Sequence, residues 1–193
     1  MALVVVCAVI ALAAALLAGG NITAVESVPW QDGILLGAAL FCQVAGVVLG
    51  HAGLPAGPTY AVACLVGAVL LGVVARRHGS VAGTELLAIG LFLNFAVIAL
   101  NTNMPVSAYA LARAGAPAQG ATDIRHEPAT GETTLGLLAE VIPVPLPGHP
   151  EADSLGDLLV AAGLGQLIFV AVRRRRKVSE ATEPAKPEVL TQH

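Results

Sequence analysis

Five runs of the chain are almost wholly apolar, with polar or turn-rich stretches between them: residues 2–18, 34–50, 60–75, 85–100 and 155–172. Each approaches or meets the ~17 to 25 helical residues that cross a hydrocarbon core of about 30 Å. The runs lack the apolar/polar alternation of barrel strands, and a bilayer admits only helices or closed barrels. The pattern therefore predicts an all-α polytopic bundle with five transmembrane spans. Between the fourth and fifth runs, residues 101–153 are too many for a simple connection and read as a long extracytoplasmic segment with a role of its own.

Composition agrees with this pattern. The 193 residues are 56% hydrophobic and only 12% charged, with a mean hydropathy of +0.79, whereas a soluble domain carries about 25% charged residues to coat its surface. Disordered, coiled-coil and secreted disulfide-scaffold classes are excluded. Cys7, Cys42 and Cys64 each lie within an apolar run, where a thiol acts as a small hydrophobe, and their spacing matches no zinc motif. A net charge of -3 with clustered basic residues offers no broad basic face for nucleic acid.

Those clusters set an orientation. Arg76 and Arg77 follow the third run, and Arg173 to Arg176 with Lys177 follow the fifth. Short loops rich in Lys and Arg stay in the cytoplasm. With five spans both clusters fall on one face, so the expectation is a cell-membrane protein with its N-terminus outside and its C-terminus cytoplasmic. Residues 1–177 form the membrane domain, and the acidic, proline-containing 178–193 forms a disordered cytoplasmic tail. The first run reads as a retained span, because it has no basic n-region and is longer than a signal peptide's apolar core of ~7 to 15 residues. Trp30, Tyr60 and Tyr109 sit at run borders, where amphipathic rings suit the headgroup level.

With lipid on both sides, helices associate through close backbone approach and a few hydrogen bonds. Gly46-x-x-x-Gly50, Ala63-x-x-x-Gly67, Ala68-x-x-x-Gly72 and Ala161-x-x-x-Gly165 offer such contacts. Within the spans, Gln43 and Asn94 lie at similar depth, positioned to bond across helices or to line a polar path. The remaining candidates collect toward the outer ends: His51, Asn101, Asn103 and Asp157, joined by the loop residues His126, Glu140 and His149. Ser154-Leu-Gly-Asp157 is a capping box, which explains Asp157 without a ligand. After the break at Met104-Pro105, Ser107 caps a short helix running to Ala114, and Asn101 or Asn103 takes up carbonyls freed at the end of span four. The apolar stretch Leu135 to Leu146, interrupted by Pro143 and Pro145, lies on the membrane or packs on the bundle. No H-E-x-x-H, G-x-S-x-G, P-loop or G-x-G-x-x-G is present, so no catalytic residue, metal or cofactor is assigned.

Gly19-Gly20, Gln43, Asn94, Asn101-Thr-Asn-Met-Pro-Val-Ser107, His126, Ile142-Pro143 and Ser154-Leu-Gly-Asp157 occur in an order that resembles domain-of-unknown-function family 5317, small multi-pass bacterial membrane proteins. The resemblance spans about residues 1 to 177. It implies a polytopic membrane protein, carries no activity with it, and groups Asn101, Pro105, His126 and Asp157 as one outer-face feature. Thr102-Asn103 stand where the family's element has glycines, which loosens any requirement for positive φ in that turn. The function expected is a non-enzymatic membrane component that binds a ligand or partner, with Asn101, Asn103, His126 and Asp157 as the binding candidates. Its surroundings are the lipid bilayer and a membrane-protein partner or second copy. The alternatives are a small-solute transporter using Gln43 and Asn94, and a membrane enzyme.

Overall fold

The computed structural model describes residues 2–27, 29–77, 81–117 and 124–173. The tail 178–193 and the basic residues from Arg174 onward lie outside the described residues. Each apolar run is a helix: α1 Ala2–Leu17, α2 Trp30–His51, α3 Ala56–Arg77, α4 Thr84–Asn101 and α6 Leu155–Arg173, with the short α5 Ala108–Ala114 between the fourth and fifth. Four of these, α2, α3, α4 and α6, are long and apolar enough to cross a membrane, and α1 is a shorter apolar helix.

Local chemistry places the boundaries. Pro29 precedes α2 with φ -53 and ψ 132, an extended conformation that its ring and the turn both accept. Beyond α2, Gly53 takes φ 101, and Pro55 starts the next helix, its carbonyl accepting from the Thr59 N–H at 3.0 Å and the Thr59 hydroxyl at 2.6 Å. Gly83 enters α4 at φ 90, and the Thr84 hydroxyl donates to Val81 O at 2.7 Å. Ser107 caps α5 by accepting from Ala110 N, and Gly115 closes it in the left-handed conformation.

Helix packing runs in a row: α2 on α3, α3 on α4, α4 on α6, and α6 on α1. The first two helices of the chain thus stand at opposite ends of the row. α1 and α6 are parallel. At one end Leu3 N donates to Glu151 Oε1 at 2.8 Å, just before α6 begins. At the other Asn21 N donates to Val172 O at 2.9 Å. Part of the interior is built from small and β-branched side chains, among them Ala39, Cys64, Val97 and Ile98. Such side chains permit the close backbone contact that helix association in lipid depends on.

The α4–α6 seam is the tightest of these. Gly83 lies against the Gly163 carbonyl, and Gly90 against Gly156 and Val160; a Cβ at Gly90 would stand 2.6 Å from Gly156 O. Each helix thus supplies two glycines seven residues apart, and the pairs meet antiparallel. The four-residue pattern is only partly used: Gly46 meets the Ala63 methyl and Gly165 meets Ala11, while Gly72 faces open space.

Between α4 and α6 the chain folds into a cap that departs from the all-α expectation. Strand β1 Met104–Val106 pairs in parallel with β2 His126–Pro128. Strand β3 Ile142–Val144 pairs antiparallel with β4 Glu151–Asp153. Glu140 lies on the free side of β1, its N–H donating to Pro105 O and its carbonyl accepting from Ser107 N, both at 3.0 Å. Pro105 and Pro143 disfavour helix for the residues before them, and short edge strands tolerate their missing N–H. Within 135–146, then, Ile142 to Val144 form a strand, and Leu138 packs on the bundle core.

Candidate ligand cavity

The N-terminus of α6 begins at the level of Asn94, well below the end of α4, and this offset opens a space under the cap. Its floor is a polar knot. Asp157 Oδ2 accepts from Ser154 N at 3.0 Å, and the Ser154 hydroxyl lies 2.7 Å from the same oxygen. In return Asp157 N donates to Ser154 Oγ at 3.0 Å, which completes the capping box. Asn94 joins from α4, its Nδ2 donating to Asp157 Oδ1 at 2.9 Å. Its Oδ1 stands 3.0 Å from Ser154 Oγ. The serine has one proton for two acceptors, so it serves Asn94 or Asp157 at any instant.

Above the knot is a cavity of about 810 Å³, bounded by the start of α1, by Tyr60 of α3 and by the cap. That volume falls in the range of small-molecule sites, roughly 300 to 1,000 Å³. Strand β2 and the residue before it bring two basic groups to its wall. The Arg125 guanidinium lies 5.3 Å from the centre of the Tyr60 ring, a cation–π distance. His126 Nε2 is 3.1 Å from Glu140 Oε1. On the opposite strand the two-residue period of β4 turns Glu151 and Asp153 to the same side. Both line the cavity, as do His149 and Asp157.

Charges here are held away from their ordinary states. Burial raises the Glu140 carboxyl above the usual carboxylate range, opposed by the His126 hydrogen bond and charge. Burial, reinforced by the charges of Glu151, Asp157 and Glu140, pushes Asp153 up to about 7. Asp153 is thus poised to change charge near neutral pH.

Of the residues singled out by sequence, His126, Asp157 and Asn94 share the cavity, together with Glu140 and His149. Asn101 and Asn103 lie elsewhere. Asn101 clamps a loop to the end of α4: Nδ2 donates to Val97 O and Thr134 O, each at 2.8 Å, and Oδ1 accepts from Thr134 N at 2.9 Å. Asn103 packs its side-chain oxygen against Gly57 of α3. Gln43 does not meet Asn94: it donates to Ala63 O at 2.8 Å, fastening α2 to α3. Four polar lining residues escaped the sequence reading of a site: Tyr60, Arg125, Glu151 and Asp153. Glu151-Ala-Asp153 immediately before the capping serine was the available signal, two acids at strand spacing.

A row of apolar helices with a small α/β cap over a cavity with a polar floor defines a helical protein whose long helices suit a membrane. Residues 28–169 match the model of a family of unknown function, DUF5317, and the chain belongs to that family. The match takes in α2 to α5, the cap and nearly all of α6. Searches of curated proteins and of solved structures find no match.

Proposed function

We propose that the protein is a five-span cell-membrane protein that binds a small molecule in the cavity beneath its extracytoplasmic cap, without turning it over. The single observation that carries this reading is the cavity itself, where residues from α1, α3, α4, α6 and both strand pairs converge. α1 supplies the fifth span, because it follows α6 in parallel from Glu151 to Val172. Arg76, Arg77 and Arg173 end their helices away from the cap, and the positive-inside rule then puts the cap and the N-terminus outside and the C-terminus in the cytoplasm.

Gln43 and Asn94, which would have lined a transport path, are engaged as fastenings between separate helix pairs. That engagement favours binding over transport.

Native mass spectrometry of the protein released from mild detergent tests the reading. Wild type is expected to carry a discrete small-molecule mass, and Ala116→Phe, which fills the cavity from the α5 side, to lose it. Identical spectra for both, with only bulk lipid attached, contradict the proposal.

A further inference from the structure

Resting on the reading that the cavity is a ligand site, we propose that its occupant is a membrane lipid with an uncharged, hydroxyl-bearing head, drawn in sideways from the outer leaflet. The head lies under the cap and the chain leaves along the start of α1. Asn94, in the cavity floor, stands two turns before Asn101, the last residue of α4, which puts the floor about 10 Å below the helix end at a rise of ~1.5 Å per residue. A space at that depth adjoins acyl chains. Its α1 wall shows where it opens. Ala2, Val5 and Val6 line the cavity, yet Val5 is 63% exposed and Val6 38%. The same side of the helix continues through Val9 and Ala13, both exposed, at the three- and four-residue spacing of one helix face. The opposite side carries α1 on α6, where Gly165 meets Ala11 and Cys7. α1 is the last helix of the row, so the cavity wall is the upper end of the stripe that α1 turns to lipid.

The charges of the cavity already have partners within the chain. Glu140 pairs with His126. Asp157 accepts from Ser154 N and from Asn94 Nδ2. Glu151 accepts from Leu3 N and from the N-terminal ammonium, and Arg125 lies over the Tyr60 ring. A charged head would have to break one of these pairs. A hydroxyl both donates and accepts, and a carboxylate oxygen has more than one lone pair, so a hydroxyl-bearing head bonds to carboxylate and imidazole edges that keep their present partners. Below it, Val5, Val6, Met104 and Leu111 give the chain an apolar wall, the division of polar and apolar surface that small-molecule sites use.

The test uses the full chain in phosphatidylcholine nanodiscs doped with equal small amounts of dioleoylglycerol, anionic dioleoyl phosphatidylglycerol and cationic dioleoyl trimethylammonium-propane. Native mass spectrometry reads which lipid stays on the released protein. Dioleoylglycerol is expected to be retained at about tenfold its share of the nanodisc lipid, a preference of ~1.4 kcal/mol, and the two charged lipids at no more than theirs. Ala116→Phe, which fills the cavity, is expected to abolish the excess, and Val5→Trp, which narrows the opening on the side of α1 away from α6, to cut it several-fold. Should Val5→Trp fail to fold, the wild-type comparison of the three lipids and Ala116→Phe carry the test. Excess dioleoylglycerol on wild type and Ala116→Phe alike places the lipid outside the cavity and overturns the inference, and an excess unchanged in Val5→Trp overturns the sideways path. Preferential retention of a charged lipid overturns the uncharged head. No excess of any of the three, with a discrete mass from native membranes still lost in Ala116→Phe, overturns the lipid while leaving the cavity a ligand site. Loss of neither overturns both.

Discussion

Thr102 ends α4 at φ 73 and ψ -38, a conformation that costs a β-branched residue free energy and costs glycine little. The turn therefore does demand positive φ, although its residue types loosened that expectation. Thr102→Gly is expected to raise stability by about 1 kcal/mol, partly offset by glycine's freedom in the unfolded chain, and to shift the melting temperature up by a few degrees. Thermal unfolding in detergent checks it. Asp153 gives a second expectation with a definite sign. Its pKa is raised from 3.8 to about 7 in the folded protein, so the native state holds more protons than the unfolded one between those values. Its contribution to stability is present at low pH and is lost as pH rises toward and through 7. Asp153→Asn should thus gain stability over wild type at about pH 8 and show little difference near pH 4; denaturation series at the two pH values decide. The capping roles of Ser107, Ser154 and Asp157 were legible in the sequence because their partners lie within one helical turn. Asn94 was legible as a residue placed to bond across helices, but its partner was not, since Asp157 is 63 positions away.

At the scale of elements, the α4–α6 seam depends on Gly83, Gly90, Gly156 and Gly163. Gly90→Val should push these helices apart and lower stability by roughly 2 kcal/mol or more, in the range of overpacked cores. Gly72→Ala, facing open space, should leave stability unchanged or slightly raised by better helix propensity. Size-exclusion profiles and melting curves of the two variants distinguish a packing seam from a general sensitivity to glycine loss. Asn94→Leu removes the bond to Asp157 and places a branched side chain beside Gly156, so a loss of about 1 to 2 kcal/mol is expected. Helix positions were readable because each apolar run is continuous. The partner of each helix was not: a four-residue pattern marked sites in three helices, while the closest approach uses a seven-residue spacing. The strands were hidden because each is three residues long and three of them contain proline, too little for a two-residue alternation to show.

For the whole molecule, the cap lies in the chain between α4 and α6, neighbours in the row α2–α3–α4–α6–α1, so the cavity is set by the offset between α4 and α6 and not by any one motif. The class of fold followed from hydropathy. The cavity did not, because its walls come from residues that only the tertiary arrangement brings together. On this account the cap lies outside and both α1 and α6 cross the bilayer toward the cytoplasm. The most direct test is site-by-site labelling with an impermeant maleimide in intact expressing cells. A chain with Cys7, Cys42 and Cys64 replaced by alanine would carry one new thiol at a time. His149→Cys on the cap should label in intact cells. Asn21→Cys after α1 and Thr191→Cys in the tail should label only after permeabilisation. Labelling of Asn21→Cys or Thr191→Cys in intact cells, or protection of His149→Cys there with labelling only after permeabilisation, would contradict the account.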